Sequence, residues 1–126
     1  MLIQLEQEGS LKIEIIGRDP DVILYVELSV PGFTATTETY VVEDAWHHFL
    51  EEMTALEDKQ QGSAIVESMS PRELKLVFRS LDAAGHMGVE GYIGIRGGRN
   101  EFHFTFDSLP FDPTLVPSIV NELQQS

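Results

Sequence analysis

The sequence predicts an α+β fold: an antiparallel sheet of seven or eight strands with two helices. Three observations carry this prediction. Apolar and polar residues alternate over most of the chain, which is typical of half-buried strands. Only near residues 44–60 and 113–125 do apolar residues recur at every third or fourth position, as in an amphipathic helix. Each helical segment follows a run of strands joined by short turns, an order that favours antiparallel pairing and an α+β arrangement.

The first half of the chain contains four predicted strands and one helix. Residues 2–6 and 11–15 form the first two strands, and residues 34–42, rich in β-branched types, form the fourth. The third strand places alternate residues on one face: Val22, Leu24, Val26, Leu28 and Val30. The helix begins at Glu43 or Asp44, whose charges suit a helix N-terminus, and stops at Gly62. Its apolar stripe contains Ala45, Trp46, Phe49, Leu50, Met53 and Leu56.

The second half repeats this order. Strands are predicted over residues 63–68, 74–79, 86–96 and 102–106, with a hairpin turn over residues 97–100. The last helix opens at Asp112-Pro113, because Asp suits the cap and Pro the first turn. We therefore predict one domain, residues 1–126, with an internal strands-then-helix duplication into units 1–62 and 63–126. The expected core packs both helices on one sheet face through Trp46, Phe49, Met53, Leu115, Ile119, Leu123, Leu24, Val26, Leu28, Phe102, Phe104 and Phe106.

Composition limits the classes of function. The chain has 126 residues, no cysteine and a net charge of −13, and residues 1–60 hold 13 of the 21 acidic residues. Without cysteine there is no disulfide, thiolate zinc site or cysteine nucleophile. Such acidity disfavours nucleic acids and anionic membranes and favours a basic protein partner. No secretory signal or apolar membrane-spanning run is present, so we expect a cytoplasmic protein.

The polar face of the first predicted helix is the strongest candidate site. It carries Glu43, Asp44, His47, Glu51, Glu52 and Asp58. We predict that this face contacts a basic partner, although a charged helix face is also typical of simple solvation. Glu43, His47 and Glu51 are four residues apart and so share one side of the helix. Because no other element supplies a further ligand, we predict no metal site and no cofactor.

Two other features suggest chemistry less strongly. Glycine recurs at positions 85, 88, 91, 94 and 97, a pattern that indicates bulges or close backbone approach more than a ligand site. Asp82 and His86 pair an acid with an imidazole, but no elbow motif positions a nucleophile beside them. We therefore predict no catalytic residues and expect that the protein is not an enzyme.

Several segments together resemble a known family. These are residues 23–28, 48–50 with Leu56, 73–78, 82–89 and 104–107, followed by the final helix. In this order they are similar to the WapI-like immunity proteins of bacterial polymorphic toxin systems and to related small proteins without an assigned role. The resemblance implies one α+β domain and, as for some members of that family, neutralisation of a toxin by direct binding. It implies no catalytic residue.

Two functional hypotheses follow. The first is a non-enzymatic acidic binding protein, in the form of an immunity protein that neutralises a basic toxin. The alternative is a small-ligand-binding or self-associating domain that uses the open sheet face and the glycine-rich strand. A homo-oligomer is compatible with the second hypothesis.

Overall fold

A computed structural model describes the backbone of residues 1–97 and 100–126, and the side chains of residues 1–94 and 102–126. The predicted turn over residues 97–100 includes Gly98 and Arg99, which lie outside the described residues. Within the described ranges, no helix combines the length and apolarity that crossing a membrane requires.

The first sheet is an antiparallel meander in the order β1-β2-β3-β4. Its strands are β1 (Leu2–Gln4), β2 (Ser10–Arg18), β3 (Val22–Val30) and β4 (Phe33–Val41), and helix α1 (Glu43–Lys59) follows. The second sheet has the same plan, in the order β5-β6-β7-β8. Its strands are β5 (Ser63–Glu67), β6 (Leu74–Ser80), β7 (Met87–Gly97) and β8 (Asn100–Phe111), and a 3₁₀ turn (Pro113–Leu115) leads into helix α2 (Val116–Gln125).

The α+β class, the antiparallel pairing and the two helices are confirmed, but the prediction of one continuous sheet is wrong. The eight strands form two separate four-stranded sheets. Helix α1 separates β4 from β5 along the chain and covers the edge of β5, where Glu52 Oε1 accepts the N–H of Ile65 at 3.1 Å. Strand β4 instead packs across β7, with Thr37 Oγ1 donating to the carbonyl of Gly94 at 3.3 Å.

Both helices bury their apolar stripes against the sheets, which excludes a large apolar area from water and is the main source of stability. Helix α1 buries Trp46, Phe49, Met53 and Leu56, and α2 buries Val116, Ile119, Val120 and Leu123. An aromatic chain links α1 to the second sheet: the rings of Phe49 and Phe78 lie 6.0 Å apart, and those of Phe78 and Phe111 lie 6.2 Å apart. The helices therefore cover the end of β8 that contains Phe111.

Three of the predicted core residues are not fully buried. Phe102 is 66% exposed, and Phe104 and Leu115 are half-buried. Phe102 lies at the opposite end of β8 from Phe111, beyond the cover of the helices. Phe102, Phe104 and Phe106 pair in unbroken register with Ile95, Ile93 and Gly91, so the alternation holds and exposure instead rises with distance from the helices. The other predicted core residues are buried.

Candidate docking surface on the first helix

Helix α1 is anchored at both ends and along its inner face. At its start, the N–H of Glu43 donates to Asp21 Oδ1 at 3.2 Å. At its end, Gln60 adopts a left-handed conformation (φ 54°) and donates its N–H to the carbonyl of Leu56 at 2.8 Å. Trp46 and Phe49 are fully buried beneath it. The outer face is therefore presented on a fixed support.

Three carboxylates form a line along the outer face, here named the acidic ridge: Asp44, Glu51 and Asp58. They are spaced by seven residues, which is almost two full helical turns, so they repeat about every 10 Å along one side. All three are exposed. In the part of the chain that the structure describes, none of them forms an ion pair or a side-chain hydrogen bond. The ridge is therefore a row of negative charges without a counter-charge among the described side chains.

The other predicted site residues flank the ridge, and one of them has a structural role. His47 Nε2 lies 3.6 Å from Glu43 Oε1, and both side chains are more than half exposed. Glu52 is half-buried, and its carboxylate accepts a hydrogen bond from the N–H of Ile65. The same carboxylate lies 3.9 Å from Nε2 of His48. The structure thus places Glu43, Asp44, His47, Glu51 and Asp58 on the open face and assigns Glu52 to the edge of β5.

The geometry gives no metal centre among the described residues. No three His, Asp or Glu side chains there are grouped closely enough to hold an ion. Glu43, His47 and Glu51 share a side of the helix, but no other described element brings a ligand to them.

Exposed apolar side chains lie beside the start of the ridge, and sequence reasoning missed them. Tyr40 is 55% exposed, Met69 is 49% exposed, and Val42 immediately precedes α1. The N–H of Met69 donates to the carbonyl of Tyr40 at 2.7 Å, which joins β4 to the segment after β5. Tyr and Met are enriched at protein interfaces. The sequence signal was a large apolar residue at an outward-facing position. That Tyr40 and Met69, 29 positions apart in the sequence, lie next to each other is a property of the fold.

The protein's own backbone occupies the space beside two glycines of the glycine-rich strand β7. A methyl group at Gly91 would overlap the carbonyl oxygen of Lys75, and one at Gly94 would overlap that of Arg72. Glycine is required at both positions because the adjacent backbone segment of the same chain approaches too closely for any side chain. This observation supports the structural interpretation of Gly91 and Gly94, since backbone atoms already occupy the space where their side chains would lie.

Asp82 and His86 form an exposed pair that closes the turn between β6 and β7. His86 Nδ1 lies 2.6 Å from Asp82 Oδ2, and Asp82 Oδ1 accepts the N–H of Ala84 at 2.9 Å. The hydrogen bond to Asp82 raises the pKa of His86, and the same bond lowers the pKa of Asp82. The contacts of Asp82 are those of a turn-stabilising residue.

Comparison of the chain with protein-family models, with curated proteins and with solved structures gives no significant match. The similarity to WapI-like immunity proteins stays a prediction.

Proposed function

We propose that this protein is a non-enzymatic binding protein that docks a basic protein partner on the acidic ridge of α1. The observation that carries the proposal is the line formed by Asp44, Glu51 and Asp58, three exposed carboxylates with no counter-charge among the described side chains. Because the buried face of α1 fixes its backbone, the spacing of the three carboxylates is set before a partner with matching Lys or Arg residues binds.

In this proposal the negative charge governs the association rate and the exposed apolar side chains govern the dissociation rate. The net charge of −13 speeds the encounter with a basic protein and makes it sensitive to salt. Tyr40 and Met69, beside the start of the ridge, supply desolvated contacts that slow dissociation. The similarity to immunity proteins makes the partner a toxin, and a nuclease toxin suits the surface because its nucleic-acid cleft is lined with basic residues.

The test compares two triple variants of equal charge. One reverses the ridge (Asp44→Lys, Glu51→Lys, Asp58→Lys). The control reverses three exposed acids elsewhere (Glu38→Lys, Asp107→Lys, Glu122→Lys), which also make no ion pair within the described residues. Both variants raise the net charge from −13 to −7, because each replacement changes it by two units.

The probe is the most basic domain encoded by the reading frames that flank this gene, and affinity is measured by surface plasmon resonance at about 0.15 M salt. We expect the ridge variant to lose affinity by about 100-fold or more, with most of the change in the association rate, while the control stays within about threefold. Equal losses in the two variants would mean that only total charge matters. Absence of binding by the unmodified protein would reject this partner assignment.

A second candidate function, self-association, is favoured by a separate observation. Phe33 is half-exposed and stacks on Phe104 with ring centres 4.5 Å apart, and Phe102 is 66% exposed beside them. These aromatic rings line a cleft of about 330 Å³ between β4 and the edge strand β8. Light scattering distinguishes this candidate: a dimer that becomes a monomer in Phe102→Ser supports it, and a monomeric unmodified protein at high concentration excludes it.

A further inference from the structure

A cleft beside α1 lies at the end of the helix that is remote from Asp44. It has a volume of about 400 Å³, within the range of small-molecule sites. Its walls come from three elements: the last turn of α1, the turn closed by Asp82 and His86, and the start of the C-terminal helical segment. None of the acidic ridge residues lines it.

The floor of the cleft is apolar. Leu56, Met87 and Val116 are buried residues whose surfaces face it, and Pro113 and Pro117 form one wall. Because Leu56, Met87 and Val116 are at most 4% exposed, an apolar ligand body would displace water mainly from the exposed Pro113 and Pro117. That displacement is favourable at roughly 25 cal/mol for each Å² removed from water. The cleft therefore suits a ligand with a hydrocarbon or aromatic part.

The polar side of the cleft is electronegative. Glu57 is its only ionisable lining residue, is half-buried, and forms no ion pair or side-chain hydrogen bond with the residues that the structure describes. Gln60 lines the same side. The basic residues adjacent in sequence, Lys59 and His86, do not line the cleft. Lys59 is exposed, and the imidazole of His86 contacts the Asp82 carboxylate.

From this arrangement we infer a second binding site, distinct from the acidic ridge, for a small organic cation with an apolar body. The ammonium group of the ligand contacts the Glu57 carboxylate, and its apolar part lies against the exposed Pro113 and Pro117. A charge-assisted contact in a partly desolvated site is roughly twice as strong as a neutral hydrogen bond, so the carboxylate selects an amine over an alcohol of the same shape.

The probe is 2-phenylethylamine, and its matched neutral control is 2-phenylethanol. We expect saturable binding of the amine with a dissociation constant of about 0.1–1 mM, the range for a ligand with few heavy atoms. The alcohol should bind at least about tenfold more weakly. The readouts are isothermal titration calorimetry and amide chemical shifts, which should move at residues 56–60, 84–87 and 113–117.

Three variants separate this site from general attraction of amines to an acidic protein. Glu57→Gln should weaken amine binding at least about tenfold while leaving alcohol binding unchanged. Ala84→Phe should block both ligands, because Ala84 lines the cleft and its exposed side chain can enlarge without loss of its backbone contact to Asp82. Glu51→Gln removes the same charge from the exposed ridge of the same helix and should change neither affinity.

Equal binding of amine and alcohol, equal losses in Glu57→Gln and Glu51→Gln, or no saturable binding by the unmodified protein would each overturn the inference. Because Glu51→Gln touches only the ridge, these outcomes are independent of whether a protein partner docks there.

Discussion

Replacing Gly94 with alanine should destabilise the protein strongly, because the added methyl group has no space. It would overlap the carbonyl oxygen of Arg72 and lie 2.9 Å from Nδ1 of His103. The backbone around Arg72 is held in place by two hydrogen bonds: the N–H of Gly94 donates to the carbonyl of Glu73 at 2.8 Å, and Thr39 donates to the Glu73 carboxylate at 2.7 Å. The clash cannot be relieved by turning a side chain.

The magnitude follows from these contacts. Overpacking costs about 1–3 kcal/mol, and displacement of the Glu73 segment loses about 1 kcal/mol for each hydrogen bond that breaks. Alanine lowers the conformational entropy of the unfolded chain relative to glycine, which offsets this destabilisation by about 0.4–1 kcal/mol. We expect a net loss of about 2–4 kcal/mol, which is a large part of the roughly 5–15 kcal/mol typical of a domain. With a urea dependence of about 1–3 kcal/mol/M, the unfolding midpoint should fall by about 1–3 M.

Gly88→Ala in the same strand is the matched control. Its methyl group would lie 3.0 Å from Cδ2 of Leu81, the free end of a flexible side chain that can rotate away. The expected change is within about 1 kcal/mol. Urea unfolding followed by the fluorescence of Trp46, the only tryptophan and fully buried, measures both variants. Equal midpoints for Gly94→Ala and the unmodified protein would refute the close-approach interpretation of the glycine-rich strand.

Three further predictions test other contacts. Glu52→Ala should lower the free energy of unfolding by about 1 kcal/mol and speed hydrogen exchange at the Ile65 N–H. Glu52→Gln, which keeps an acceptor oxygen, should lower it by less, and equal exchange rates in the two variants would contradict the assigned bond. The raised pKa of His86 means that its pair with Asp82 stabilises the fold below the ordinary pKa of about 6.5 and stops doing so as pH rises through the raised value. The thermal midpoint of His86→Gln should therefore fall below that of the unmodified protein at about pH 6 and approach it at about pH 9, and a gap independent of pH would argue against the pair. Phe78→Ala should cost about 3–5 kcal/mol in urea unfolding, because its fully buried ring lies between two others; a loss below about 1 kcal/mol would place the core elsewhere.

Local pattern predicted most elements because each depends on neighbours along the chain. The three- and four-residue spacing predicted α1, and its observed bounds, Glu43–Lys59, lie close to the predicted segment. The exposure of Asp44, Glu51 and Asp58 also follows from periodicity, since the buried stripe fixes which side of a helix faces outward. Phe102 shows the limit of local pattern. Alternation places it on the same face of β8 as the buried Phe106, but the helices cover only the other end of that strand, so Phe102 is exposed.

The amino-acid sequence by itself determined the helices, the antiparallel strands and the row of acids on α1, because periodicity and charge are properties of short segments. Only the tertiary structure decided that the strands divide into two sheets, that Glu52 serves the edge of β5, and that Tyr40 adjoins Met69. Those features depend on contacts between residues far apart in the chain, and no local pattern records which distant segments meet. The cleft above Leu56 is of the same kind, because three separate elements must pack before it exists.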